Sequence, residues 1–523
     1  MATDVQIAMR KIVSVNPATG EILRELECAA ENEVLAAVGR AGAAQGAWAE
    51  IGVRRRIAVL REFQRKLQER KSEIAEAISR EAGKPVAEAL TTEVLVVLDA
   101  ARFLVENAHR LLRDEPLPHG NLATKLKSGR LVRAPHGVVG IISPWNYPFS
   151  IPATETVVAL VAGNAVVLKP SEFTSLVALE LESLLHAAGV PPDVFRVVVG
   201  DGATGGALVH SEIDKLVFTG SVATGKRIAA AAGERLLPVV LELGGKDPML
   251  VLDDADVDVA SSAAVWGAFV NAGQTCLSVE RCYVHRRLYE AFLKACVEKT
   301  KKLRVGHGLD RETDVGPMIH ERQLRTVQSH VEDAVTRGAR VMAGGCRLAE
   351  LGKHFYTPTL LADVTHEMLI MREETFGPVL PVMAFDSDEE AVRLANDSEY
   401  GLAASVWTRD RERGERLARR IQAGTVMVND VVSCYGISEA PHGGVKSSGV
   451  GRAHGRFGLD EMVRLKYLDV DRMPGIKKVW WYGYGASFTR QMEGFIDFQF
   501  ARGLTERLRG ALRAVGVVRR KQL

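Results

Sequence analysis

Apolar and polar positions divide the chain into stretches of different texture. From Glu31 to Trp48, and again from Arg54 to Ala82, apolar residues return every three or four positions among many charges, which predicts amphipathic helices. Gly83-Lys84-Pro85 breaks the second stretch, and Ala87 to Leu112 resumes the pattern. From Gly137 the texture changes. Short apolar runs alternate with helical periods: Gly137–Ile142 then Ile151–Val161, Ala165–Leu168 then Leu176–Ala188, Val194–Val199 then Ala203–His210, Lys215–Phe218 then Thr224–Ala232, and lastly Val239–Leu241. This alternation predicts an α/β fold with a parallel, doubly wound sheet able to bind a nucleotide. A second alternation runs from about Lys246 to Asn429, with strands expected near Met249–Leu252, Arg281–His285, Val379–Ala384 and Thr425–Val428. Gly244-Gly245 marks the boundary between the two. The chain shows no internal repeat and no low-complexity segment.

Composition narrows this picture. A length of 523 residues implies two or three domains, and 47% apolar with 25% charged residues is ordinary for a globular protein. A net charge of +2 leaves no footprint of nucleic-acid binding, so no such partner is expected. The charge is unevenly placed: Ala501 to Leu523 holds seven Arg or Lys and one acid. Six cysteines form no CxxC pair and no disulfide-like frame, which fits a reducing compartment. Met1 to Val15 does not read as a secretory signal, and no window of about 18 apolar residues predicts a spanning helix. A cytoplasmic location is expected.

Two segments carry candidate chemistry. Phe269-Val-Asn-Ala-Gly-Gln-Thr-Cys276 sets one cysteine after a small polar turn, where Gly273 lets the backbone approach a ligand closely. Cys276 reads either as a nucleophile, which requires polar surroundings and access, or as a buried core thiol. Glu242 ends the apolar run Pro238-Val-Val-Leu-Glu242-Leu just before Gly244-Gly245-Lys246. It reads either as a general base projecting into a shared cleft or as a strand-end acid paired with Lys246. Gly220-Ser-Val-Ala-Thr-Gly225 follows a predicted strand and opens a helix, where backbone N–H groups can hold a pyrophosphate. A plain structural turn would look the same. Lys169 and Glu172 lie just beyond another predicted strand, either to bind a ribose or as an exposed pair.

The Cys276 and Glu242 segments, 34 positions apart, resemble the two signature motifs of the aldehyde dehydrogenase superfamily. Pro144-Trp-Asn146-Tyr-Pro148 resembles the family's oxyanion-hole motif. Lys169-Pro-Ser-Glu172 and Phe218-Thr-Gly-Ser221 resemble its cofactor segments, and Glu373-Glu374-Thr-Phe376-Gly-Pro378 its nicotinamide-side motif. Gly443-Gly-Val-Lys-Ser-Ser-Gly-Val-Gly451 is similar to its C-terminal signature, and Val15-Asn-Pro-Ala-Thr-Gly-Glu21 to its N-terminal lead-in. The match runs from roughly Val13 to Val470. The tail and cofactor-sheet pattern are also similar to bacterial members described as acting on large apolar aldehydes such as carotenoid dialdehydes.

The resemblance implies an enzyme that oxidises an aldehyde to a carboxylic acid. Cys276 would attack the carbonyl and form a thiohemiacetal, then a thioester. The Asn146 side chain and the Cys276 backbone N–H would hold the alkoxide, and Glu242 would activate the hydrolytic water. Relatives that transfer the acyl group to coenzyme A lack this glutamate. The implied cofactor site comprises Ile142, Ser143, Pro144, Trp145, Lys169, Ser171, Glu172, Gly202, Gly220, Ser221, Gly225, Leu243, Glu374 and Phe376. Core packing is the alternative role of Phe376. Glu172 favours NAD, with NADP the alternative, and no metal is needed. The implied substrate tunnel lies near Tyr147, Thr154, Trp266, Phe269, Thr275, Leu277 and Cys434. Succinate semialdehyde enzymes of the main branch place an arginine where this chain has Thr154, so an apolar aliphatic or aromatic aldehyde is the expected substrate, with succinate semialdehyde the alternative. A catalytically silent member with a binding role is the alternative from another class. His442 stands where the family usually has phenylalanine, either touching substrate or as a surface substitution.

The implied architecture is a Rossmann-type cofactor domain (1–112 and 137–244), an α/β catalytic domain (245–430) and a small β oligomerisation element (113–136 and 431–470). A hairpin near Arg113–Arg133 should pair with a late strand near Met462–Asp469, partly across subunits, giving a homodimer or homotetramer. Residues 471–523 form an extension. Within it, Leu504, Leu508, Leu512 and Val515 share one helical face, with Arg502, Arg509, Arg513 and Arg520 opposite. Gly503, Gly510 and Gly516 weaken that helix. The pattern fits either an extra packing layer or peripheral contact with the inner membrane surface.

Overall fold

Five of the apolar runs become parallel strands of one sheet: Val138–Ile142, Ala165–Lys169, Phe195–Val197, Lys215–Thr219 and Val239–Glu242. The computed structural model describes residues 10–478 and 480–515. Ala165–Lys169 and Phe195–Val197 lie on one side of Val138–Ile142, and Lys215–Thr219 and Val239–Glu242 on the other. The order therefore reverses beside Val138–Ile142, and the carboxyl ends of the strands flank a crevice there. Gly449–Val450 closes the Val239–Glu242 edge in antiparallel register, Gly449 opposite Glu242. Every residue of Val138–Ile142 and Ala165–Lys169 is buried, as expected when helices cover both faces. Glu31–Glu50, Val53–Glu69, Leu95–Leu111 and Ser150–Ala162 contribute to the same core.

A second sheet of seven strands has its own apolar core. Across it run Arg340–Ala343, Thr359–Ala362, Val379–Phe385, Val279–His285, Asp247–Val251, Ala403–Trp407 and Thr425–Val428. All neighbours are parallel except Arg340–Ala343, which is antiparallel to Thr359–Ala362. The chain passes from one sheet to the other at Gly244-Gly245. Both glycines admit close neighbours: a Cβ on Gly244 would lie 2.6 Å from the Glu374 carboxylate, and one on Gly245 would lie 2.5 Å from the Cys276 carbonyl.

The structure departs from the sequence reading in several places. The lead-in at Val15–Glu21 is the turn of a hairpin, Lys11–Val15 with Ile22–Glu27. The helical stretch ending at Ala82 is interrupted at Arg70, whose guanidinium bonds Glu73 and Glu180. A π-helical turn, Ala89–Val94, precedes Leu95–Leu111. Residues 431–464 belong to the larger unit, built from the chain up to Arg113 and from Arg133 to Arg464, rather than to the small β element. Gly449–Val450 completes the first sheet, and Gly455–Glu461 packs on Ser150–Ala162.

The smaller unit comprises Asp114–Val132 and the chain from Leu465 onward. Its sheet runs in the order Val463–Asp471, Lys127–Pro135, Glu115–Leu117. The extension follows as two helices, Ala486–Phe500 and Leu504–Ala514. They cross where Gly494 meets Gly510: a Cβ on Gly510 would lie 2.5 Å from the Phe498 backbone nitrogen. Gly510 thus permits a close helix crossing, where the sequence reading saw only a weakened helix, and Gly503 is an N-cap. Gly516 and Arg520 lie outside the described residues.

Candidate active site

The segment before Cys276 is held by an unusual run of backbone. Asn271, Ala272 and Gly273 all have positive φ, at 53°, 53° and 70°. A Cβ on Gly273 would collide with the Gly377 carbonyl oxygen. Gly273 therefore makes room for the backbone of Gly377, where the sequence reading assigned that space to a ligand. The Asn271 side-chain amide donates to the carbonyls of Asn146 (2.9 Å) and Gln274 (3.1 Å). Asn146 Nδ2 donates to the Gln274 carbonyl at 3.1 Å. These bonds tie Asn146 to the Cys276 segment and engage one of its two amide N–H groups.

Glu242 is the last residue of its strand and is buried, 5% exposed. Among the described residues neither carboxylate oxygen has a hydrogen-bond partner. The alternative pairing with Lys246 does not form, because Lys246 ion-pairs with Glu280 and donates to Thr375 Oγ1 at 3.1 Å. The closest basic nitrogen is His442 Nε2, 3.7 Å from Glu242 Oε2. His442 is buried, so it is not a surface substitution, and it lines none of the three cavities described below.

Three cavities converge here. A polar one of about 220 Å³ is lined by Trp145, Asn146, Glu242, Leu243, Cys276, Glu374 and Phe376. It shares Pro144, Trp145, Gly220 and Ser221 with a second polar cavity of about 620 Å³, which reaches Ile142, Ser143, Lys169, Ser171, Glu172 and Gly202. An apolar cavity of about 250 Å³ opens on the other side of Cys276, between Tyr147, Ile151, Trp266, Leu277, Val432 and Tyr435. Thr91, Thr92 and Thr275 also line it, and among the described residues none of its walls is charged. Cys276 borders both the polar and the apolar cavity.

Electrostatics in this form favour neutral groups. Burial, then the fields of Asp247, Glu374 and Glu242, push the Cys276 thiol well above the ordinary thiol range. Burial and neighbouring Glu155 push Glu242 well above the usual carboxylate range, while Arg452 acts in the opposite sense. Burial also raises Glu374 to about 8, with Glu280 adding to it and the Gly245 N–H opposing at 2.9 Å. Burial lowers Lys169, which lies 3.6 Å from Glu172.

The match to the aldehyde dehydrogenase family spans residues 5–468. The chain belongs to the aldehyde dehydrogenase family. It is 40% identical to the 4,4'-diapolycopene aldehyde oxidase of Methylomonas sp over 495 residues, 94% of this chain and 91% of the relative. It is 38% identical to the mitochondrial succinate-semialdehyde dehydrogenase of Oryza sativa subsp. japonica, covering 87% of this chain and 85% of the relative. The NAD+ complex of an aldehyde dehydrogenase from Bacillus cereus superposes with a TM-score of 0.84 at 36% identity, over 88% of this chain and 93% of that one. The protein is accordingly an oxidoreductase acting on aldehydes, in a family that uses NAD or NADP.

The polar cavities fit such a dinucleotide. They share walls, and the larger reaches the N-termini of Gly202–His210 and Val222–Glu234. The buried Ser143 Oγ on its wall lacks a partner among the described residues. Phe376 meets Trp145 edge-to-face, centroids 5.4 Å apart, and stands in the wall of this aldehyde dehydrogenase's polar cavity rather than in its apolar core.

Four expected site residues are not brought to the cavities. Gly225 packs under Leu243, whose side chain would lie 2.5 Å from a Cβ there, and Thr224 and Ile228 line the space instead. Phe269 is part of the second core, because the helix ends at that residue and its ring turns inward. The Thr154 hydroxyl donates back to the Ser150 carbonyl at 2.8 Å, within its own helix. Cys434 is buried, its thiol directed to the Val432 carbonyl. Reading the sequence missed Thr91, Thr92, Tyr435 and Glu155. Only Glu155 had a visible signal, being the one acid inside the apolar run Ile151–Val161.

Proposed function

We propose that this aldehyde dehydrogenase oxidises an apolar aldehyde to its free acid, with Cys276 as nucleophile, Glu242 as general base and Asn146 as oxyanion donor. The observation that carries the reading is the position of Cys276 between an uncharged tunnel and a polar cavity that also holds Glu242. An aldehyde entering by the tunnel meets the thiol end-on. The Cys276 thiol gives up its proton to solvent, Sγ bonds to the carbonyl carbon as the C=O π bond opens, and the Asn146 side chain with the Cys276 backbone N–H opposes the alkoxide charge. NAD, when bound, would supply the acceptor for the hydride lost from that carbon as the thioester forms. Glu242 then takes a proton from water as the oxygen attacks the thioester, and the carbon–sulfur bond breaks to release the acid. Lys169 and Glu172 would hold the adenosine ribose, and the Glu172 carboxylate disfavours a 2′-phosphate, so NAD is the preferred cofactor. Glu374 would bind the nicotinamide ribose.

The tunnel argues against succinate semialdehyde, since among the described residues its walls offer no cation for a second carboxylate. A panel of aliphatic, aromatic and carboxylated aldehydes, followed by NADH or NADPH formation, tests the reading. Apolar aldehydes with NAD should turn over fastest, and Cys276→Ala should abolish turnover. Full turnover without the thiol, or preference for succinate semialdehyde, contradicts it.

Two further features bear on partners and location. Val463–Asp471 is a nine-residue edge strand with Leu465, Tyr467, Leu468 and Val470 exposed, which favours a homo-oligomer formed along that edge. In the extension Leu504, Leu508, Leu512 and Val515 are 60–76% exposed, and Trp481, Tyr482 and Tyr484 are exposed as well. With the basic C-terminal stretch, this surface fits an anionic bilayer at the cytoplasmic face. Anionic vesicles should sediment the full chain and leave a chain ending at Val470 in solution. Equal sedimentation would leave the extension as a packing element only.

A further inference from the structure

Behind Glu242 stands a cluster that the reaction as described does not use. His442 and Ala453 exchange backbone hydrogen bonds, each 2.8 Å, and this short bridge sets the rings of His442 and His454 5.9 Å apart. Tyr435 covers both, its ring 4.9 Å from His442 and 4.4 Å from His454. Both histidines are buried, and Tyr435 lies between them and the apolar cavity that it lines. Among the described residues His442 Nδ1 and both nitrogens of His454 lack hydrogen-bond partners, as do both oxygens of Glu242. A phenylalanine would fill the space of His442 without burying polar nitrogens. Each orphaned nitrogen is unfavourable, whereas His442 Nε2 is not one of them and is free of that penalty. Glu242 Oε2 lies 3.7 Å from Nε2, close enough to bond it after a small side-chain movement.

We propose that His442 is the positioning residue of Glu242: its Nε2 accepts a hydrogen bond from the Glu242 carboxyl once that carboxyl has taken the proton of the hydrolytic water, and so holds the acid turned from the thioester. The inference rests on Glu242 being the general base. In that step the water O–H bond breaks and its proton goes to Oε2. The oxygen bonds to the acyl carbon, and Cys276 leaves as thiolate. His442 enters as a neutral imidazole, held so by burial and by its neighbours His454 and Arg452, which keep it near about 3. With its proton on Nδ1, the neutral ring accepts at Nε2 from the acid form and offers no charge to the carboxylate. The other groups that act on Glu242 are Glu155, Arg452 and Glu461. Arg452 itself donates to the carbonyls of Gly444 and Gly451 at 3.1 and 2.6 Å.

The sign follows from which form is bonded. An acceptor that bonds only the protonated carboxyl delays its ionisation, so removing it brings the base into action at lower pH. The test follows the acyl-enzyme directly. Full-length enzyme with NAD and a turned-over aldehyde is quenched at intervals, and intact mass reads the loss of the acyl adduct from pH 5.5 to 10. In His442→Phe the midpoint of the rising limb should fall by about one pH unit, the size of one hydrogen bond. In His442→Gln the amide oxygen still accepts, and the midpoint should stay where the unaltered enzyme has it. No shift in the Phe variant, or equal shifts in both, overturns the proposal. If the Phe variant is insoluble, His442→Leu against His442→Gln gives the same comparison. Glu242→Gln separates the two readings: slow hydrolysis there with an unmoved His442→Phe midpoint overturns only the role of His442, whereas full-rate hydrolysis removes the base and its positioning residue together.

Discussion

Glu155 offers a stability prediction that can be worked through from the site. It lies in Ser150–Ala162, is 6% exposed and receives one hydrogen bond, from Thr219 Oγ1 at 3.0 Å. Its other oxygen has no partner among the described residues. Burial raises it to about 8 from an ordinary 4.5, against the Thr219 bond. The folded state therefore keeps a proton that the unfolded chain releases above pH 4.5. For an acid raised in this way stability is lost as pH climbs from 4.5 to 8, by about 1.4 kcal/mol per unit. At pH 7 the loss amounts to about 3 kcal/mol, and at pH 4 it is negligible. Glu155→Gln keeps an acceptor for Thr219 and removes the titration. The amide adds a constant offset, so the quantity to read is the change in the difference with pH. With unfolding entropy of about 2 cal/mol/K per residue over roughly 450 residues, 1 kcal/mol corresponds to about 1 °C. The melting-temperature difference, variant minus unaltered enzyme, should rise by about 4 °C between pH 4.5 and 7.5 in calorimetry at matched concentration. A flat or falling difference refutes the claim that burial keeps Glu155 neutral.

Three further predictions concern separate features. Without cofactor, alkylation of Cys276 by iodoacetamide should climb about tenfold per pH unit beyond pH 9, because burial and nearby acids hold the thiol neutral; a plateau below pH 8, read by peptide mass spectrometry, contradicts this. Gly273→Ala should lower the melting temperature sharply, since φ is 70° and the new Cβ would meet the Gly377 carbonyl, whereas Gly46→Ala, in an open stretch of helix, should be neutral or stabilising by up to about 1 kcal/mol. Gly510→Ala should part the two helices of the extension, seen as faster limited proteolysis after Phe500, with aldehyde turnover unchanged; unchanged proteolysis would show the close crossing to be dispensable.

The parts of the fold that were legible in the sequence are those whose burial leaves a continuous mark. Val138–Ile142 and Ala165–Lys169 are covered on both faces, so each is an unbroken apolar run. Thr359–Ala362 and Ala403–Trp407 were not expected: they are four and five residues long, contain Thr, Ala and Ser, and are recognisable only through their sheet neighbours. The same limit applies to the site. Glu242, Asn146 and Cys276 come from motifs in which type and spacing carry meaning, and they border one cavity. Side-chain direction is not encoded by spacing. Trp266 and Phe269 lie three apart on one helix, yet only Trp266 reaches the tunnel. Thr154 turns its hydroxyl to its own backbone, and Gly225 serves Leu243 instead of the cavity. Thr91 and Thr92 reach the tunnel from a π turn that no periodicity announces.

The electrostatics give these placements a common logic. Glu242, Asp247 and Glu374 are all pushed toward the neutral form by burial, and each opposes ionisation of the Cys276 thiol. Four acidic groups so close cannot ionise independently; each charge formed raises the penalty on the next. The centre is therefore electrically quiet, and the Cys276 sulfur is held as thiol. A ligand that brings positive charge into the polar cavity reverses the balance, favouring thiolate and carboxylate together, while a purely anionic one does the opposite. The apolar tunnel can bring no such charge to bear, since its walls and its expected occupant are uncharged. If Cys276 is the nucleophile as proposed, its reactivity is governed from the polar side, and an aldehyde entering the apolar cavity before that side is filled would meet a thiol poorly able to attack it.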